Sequence, residues 1–146
     1  MSDVGFYQLS RRSLDAVLPR LLDKALSGGH RAVVCSGDAA LLKRLDSVLW
    51  TYDPASFLPH AVDGEYAAAQ PVLLTGDGAA NGATLLAVVD GVLPGDLGSF
   101  ARVLYIFDGG IAETLATARM HWRSVKAEAH DATYWRETDT GWEKAA

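Results

Sequence analysis

One cysteine, Cys35, is all that this 146-residue chain contains. A single thiol forms no intramolecular disulfide and leaves a cysteine-based zinc site short of ligands, so crosslinking and redox chemistry are not expected. Cations are outnumbered as well: 13 Lys and Arg against 18 Asp and Glu give a formal net charge of −5. That balance argues against broad binding to a phosphate backbone, which draws its affinity from clustered cations that release counterions. Any direct contact with nucleic acid would have to be local. No apolar run approaches the roughly 20 residues of a membrane span, and the opening MSDVGFYQLSRRS has no basic segment followed by an apolar one. The expectation is a cytoplasmic protein with no membrane partner.

Composition is 49% hydrophobic and 21% charged, enough apolar material for one α/β domain spanning 1–146 with no metal or disulfide to support it. Val4–Leu9, Arg31–Cys35, Pro71–Thr75, Thr84–Asp90 and Val103–Phe107 are apolar runs of strand length. Helical spacing marks Ser13–Leu26, Asp38–Trp50 and roughly Ile111–His130, with Ser13 and Asp38 as N-caps. Pro19 implies either a kink in the first helix or a start just before it. Strands without clean alternation, interleaved with helices, predict a three-layer αβα sandwich around a mainly parallel, Rossmann-like sheet. The segments 132–136 and 140–142 fit an edge strand, a hairpin or a surface strap equally well.

Sheets of this kind hold phosphates on a glycine-rich turn that opens a helix. The first strand-to-helix connection, QLSRRS, has no glycine, so no phosphate-binding loop is expected and no cofactor with it. Glycines gather instead in 76–82, GDGAANG, which predicts a β-turn or hairpin loop. Asp38, Asp90 and Asp108 fall at strand ends, where carboxylates act either in catalysis or as caps and turn formers. His60, in LWTYDPASFLPH, has Thr51, Asp53 and Ser56 nearby but no Gly-x-Ser-x-Gly elbow to make a nucleophile. A small nucleotide-binding enzyme using His60 and these aspartates is the alternative to a non-catalytic protein. His30, His121 and His130 share no ligand spacing, so no metal is expected.

The last helix carries a sharper pattern. At about 100° per residue, Arg119, Arg123 and Lys126 form one basic stripe beside an apolar face of Ile111, Leu115, Ala118, Trp122, Val125 and Ala129. This is either an ordinary amphipathic helix or one wall of a peptide groove. In the second case the guanidinium takes a carboxylate, and the indole takes an apolar side chain. Three of the four tryptophans lie between 122 and 142, so the same region is an aromatic core, a binding surface or both.

Several stretches, in order along nearly the whole chain, resemble the chi subunit of bacterial DNA polymerase III, part of the clamp-loader complex. They are FYQL, LPRLLDKALSGGHRAVV, LLKRLDSVLWTYDPASFLPH and AxARMHWRSVKAEAHDATYWRETDTGWEK. The resemblance implies a Rossmann-like fold without nucleotide binding or catalysis. It also implies an adaptor that binds the acidic C-terminal tail of single-stranded DNA-binding protein through Arg119, Trp122 and Arg123, beside Lys126. A second surface, at Trp50, Phe57, Pro59 and His60, is implied to dock the psi subunit or an accessory helicase. The segment 76–83 matches no family motif.

Overall fold

An unbroken apolar strand needs cover on both faces, and three helices among the described residues supply it. The computed structural model describes residues 3–10, 13–51, 60–62, 72–75, 83–91, 100–128, 130–139 and 141–145, with only the backbone at 50, 51, 60–62 and 75. In chain order these form β1 (Asp3–Leu9), α1 (Leu14–Ser27), β2 (Ala32–Cys35), α2 (Ala39–Thr51), β3 (His60–Val62) and β4 (Val72–Thr75). They continue with β5 (Leu85–Val88), β6 (Arg102–Asp108), α3 (Ala112–Ala127), β7 (Asp131–Thr138) and β8 (Gly141–Lys144). The sheet runs β3-β4-β2-β5-β6-β1-β7-β8 and is parallel throughout except for the antiparallel β7–β8 pair.

Alternate residues along each strand pass to opposite faces, and the two hydrophobic clusters follow that parity. Tyr7, Leu9, Val34, Leu74, Ala87 and Ile106 pack with Val17, Leu18, Leu22 and Leu45 from α1 and α2. Phe6, Val33, Leu73, Val88, Tyr105 and Phe107 pack with Ala118 and Val125 from α3. The result is the expected αβα sandwich. Trp135 and Trp142 belong to the α1/α2 side while Trp122 and Tyr134 belong to the α3 side, so the aromatic-rich end of the chain is divided by the sheet.

Four local expectations are corrected. The first helix starts at Leu14 and contains Pro19 in its buried face, so it does not begin just before the proline. Ser13 occupies the N-cap position through its backbone carbonyl, without a side-chain bond. The hairpin expected around 76–82 is excluded by the pairing of its flanks. β4 and β5 both run parallel to β2 from opposite sides of it, so they are not adjacent; the segment itself lies outside the described residues. The last helix stops at Ala127, not His130, because the chain must turn to bring Asp131 opposite Asp3 as β7 opens. His60 opens β3, opposite Val72. The C-terminal alternatives resolve as a β7–β8 hairpin whose first strand extends the parallel sheet.

Candidate functional site

The helix α3 crosses β6, β1 and β7. Its sheet-facing side carries Ala118 and Val125, both buried, with Leu115 and Trp122 partly buried beside them. His121 and Arg119 lie about 200° apart around the axis and therefore flank this line on opposite sides. His121 reaches toward β6, where its Nδ1 is 2.7 Å from the Tyr105 hydroxyl. Arg119 is thereby on the β7 flank, with Arg123 and Lys126, and all three are exposed. Ile111 departs from the expected apolar face: it is 51% exposed, because it is the extended N-cap and precedes the helical phase. Ala129 lies outside the described residues.

The indole of Trp122 is held by the sheet. It meets the Phe6 ring edge-on at 5.3 Å and the Tyr134 ring edge-on at 5.7 Å, while Phe6 stacks on Tyr105 at 4.7 Å. Lys126 Nζ lies 5.2 Å from the centre of the indole ring, within cation–π range. A rigid aromatic floor thus borders a line of cations.

The sheet adds residues that helical periodicity does not contain. Tyr134 belongs to β7 and turns toward α3, with its ring 6.0 Å from Phe107. Its hydroxyl donates to Gln8 Oε1. Gly109 makes room for that glutamine, since a Cβ there would lie 2.5 Å from Gln8 Cγ. Arg136 follows Tyr134 by two positions in β7, opposite Gln8, and so emerges on the same face. Burial pushes the Tyr134 hydroxyl above the usual phenol range, and the Arg136 and Arg119 guanidiniums pull it back from either side. Strand alternation through ATYWR was the available signal for Arg136, but it needed knowledge of which face meets α3. Arg119, Arg123, Lys126 and Arg136 make no ion pair with a described carboxylate.

The residues of the catalytic alternative have local duties. Asp38 Oδ1 accepts from the Ala40 and Leu41 amides as the cap of α2, and Asp108 Oδ1 accepts from the Gly110 amide. Asp90 Oδ2 accepts from the Ser36 hydroxyl at 2.7 Å and the Gly37 amide at 2.9 Å, joining the ends of β2 and β5. A cleft of about 660 Å³ does open at the C-terminal ends of β1, β5 and β6, the place where sheets of this class bind nucleotides. Among the described residues its rim presents Asp90, Asp108 and Glu113 and the guanidinium of Arg44, which pairs with Asp15 at 3.1 Å. Cys35 is buried, and burial followed by the Asp90 charge pushes its thiol up, away from the reactive thiolate.

Burial and then Asp90 push the Tyr105 hydroxyl up to about 12, while burial alone lowers His121. The phenol therefore stays protonated and shares its hydrogen bond with Nδ1 of His121. Protonating His121 charges a desolvated ring, so the unfolded chain binds the proton more readily than the folded one. Stability is fully present above the ordinary histidine range, about 6.5, and is lost as pH falls through the lower folded value. Melting temperatures measured at pH 7.5 and 5.5 are expected to fall less in His121→Gln than in the parent chain. An equal fall would remove His121 as a source of acid sensitivity.

The other expected surface lies at the far edge of the sheet. Trp50 is in the last turn of α2, which packs against β3, and His60 opens that strand; nothing is described of either side chain. Phe57 and Pro59 lie outside the described residues.

Residues 1–133 match the family model described as DNA polymerase III chi subunit, HolC. No curated protein matches the chain. No helix among the described residues is long and apolar enough to cross a membrane.

Proposed function

The chain belongs to the DNA polymerase III chi subunit family and is a replication accessory subunit associated with that complex; from this premise we propose that it is a non-catalytic adaptor joining the replicase to DNA-bound protein. One surface, the strip between α3 and β7, binds the acidic C-terminal tail of single-stranded DNA-binding protein. The other, around Trp50, Phe57, Pro59 and His60, docks the psi subunit or an accessory helicase. The observation that carries the first part is the set of cations that pair with no described carboxylate, Arg119, Arg123 and Lys126, beside the fixed indole of Trp122 in a chain of net charge −5. Cations left uncommitted in an acidic protein attract an anion from outside.

The two surfaces fall at opposite ends of the strand order, β3 and β7. Six strand spacings of about 4.8 Å separate these two strands by roughly 30 Å. Several tails on one DNA-bound oligomer raise the effective concentration, which lets a weak single contact retain the replicase.

Calorimetric titration with a short acidic peptide ending in Pro-Phe tests the tail surface. Arg119→Ala is expected to weaken binding about three- to tenfold, the loss of one charge-assisted contact, with the remaining affinity still falling as salt rises. Absence of binding by the parent chain would end the tail reading. Pull-down of psi or helicase with Trp50→Ala and Phe57→Ala, after a check that each folds, tests the second surface.

A further inference from the structure

The family match ends at residue 133, in the third position of β7. Tyr134 and Arg136 lie beyond it, yet they stand on the sheet face that α3 covers and form the sheet-side border of the strip whose helix-side border is the α3 stripe. The strand register makes that border firm. Arg136 is held opposite Gln8 of the central strand β1, Gln8 accepts the Tyr134 hydroxyl, and Tyr134 abuts Trp122 at 5.7 Å. β8 pairs with the same stretch of β7, Arg136 standing opposite Glu143 in the antiparallel register. The next residue, Glu137, turns to the other face, where its Oε1 accepts from the Ser10 amide at 2.9 Å. Arg136 itself is exposed and makes no ion pair with a described carboxylate.

We infer that Arg136 is a second peptide-binding cation, meeting an acidic side chain of the ligand from the sheet side while Arg119 acts from the helix side, with the Trp122–Tyr134 floor between them. This rests on the tail-binding reading and sharpens it: the site selects an acidic peptide whose negative charges are spread along its length, beyond a single terminal carboxylate. A guanidinium on a hydrogen-bonded strand keeps its stem in place, so less side-chain freedom is lost on binding than for a cation on a mobile loop.

Two peptides separate the possibilities in calorimetric titrations at low salt. One is Asp-rich and ends in Pro-Phe; the other has its Asp residues replaced by Asn and keeps the free C-terminus. Arg136→Gln is expected to bind the first about three- to tenfold more weakly and the second as the parent does, with an unchanged denaturation midpoint. Arg136→Lys is expected to recover part of the loss, since charge is retained and the planar fork is not. Equal affinity of parent and Arg136→Gln for the acidic peptide would overturn this inference and leave the Arg119 surface standing. Equal losses with both peptides would overturn it too, by showing a packing effect. No binding of either peptide by the parent chain would remove the tail reading and this inference together.

Discussion

Phe6→Ala is expected to lower the unfolding free energy by about 3–5 kcal/mol, enough to move the melting temperature by about 10 °C in a chain of this size. Phe6 is fully buried in β1, and its ring touches Tyr105 at 4.7 Å, Trp122 at 5.3 Å and Tyr134 at 6.5 Å. Removing it opens a void beneath both halves of the binding floor at once, and neighbours drawn from three different elements cannot collapse together to fill it. Phe6→Leu keeps most of the burial and loses the ring contacts. The gap between the two variants then measures the aromatic contribution, about 0.5–1.5 kcal/mol per pair. Urea midpoints with a constant slope read both numbers. A loss below about 1 kcal/mol in Phe6→Ala would mean that this cluster is not the packing centre of the α3 face.

The second large effect is that of Trp122→Ala on the acidic Pro-Phe peptide, a loss of about tenfold or more. Burial of a large apolar side chain contributes about 1.5–3 kcal/mol, against about 0–1 for an exposed ion pair, so the indole outweighs any single arginine. The same substitution also removes the support of Lys126, which lies over the ring at 5.2 Å, and one of the contacts that fix Tyr134. Its stability cost is expected at about 2–3 kcal/mol, less than for Phe6 because Trp122 is only partly buried. Trp122→Phe separates the two roles. It retains an aromatic surface for the ligand, and recovery of most of the peptide affinity identifies apolar contact as the source. Full affinity in Trp122→Ala, in a protein shown to be folded, would place the apolar pocket elsewhere.

How much of this was legible beforehand depended on the range of the interactions involved. Arg119, Arg123, Lys126 and Trp122 could be grouped from sequence because they share one helix, whose periodicity is local. The layer architecture was equally open to reading, since the runs AVVC and LLAV have no polar alternation to spare a face for water. Arg136 was not, because its nearness to Arg119 depends on β7 lying beside β1 under α3, and no local pattern encodes that neighbour. The hairpin reading of 76–82 failed for the same reason. A glycine cluster announces a turn, but whether the flanking strands pair is decided by β2 coming between them. His60–Val62 is three residues long, too short for any period to show.

The central position of β1 governs more than packing. Its two neighbours, β6 and β7, come from the last third of the chain, and Ser10 and Glu137, bonded across this junction, are 127 positions apart. A nascent chain therefore carries β1 as an open edge, able to pair wrongly, until residues 102–138 are made. Closing so long a loop costs chain entropy before any contact repays it, which sets a slow folding step that helix formation cannot shorten. The tail strip, built across β1 and β7, comes into being only at that last event, so an incompletely made chain offers its partner no site.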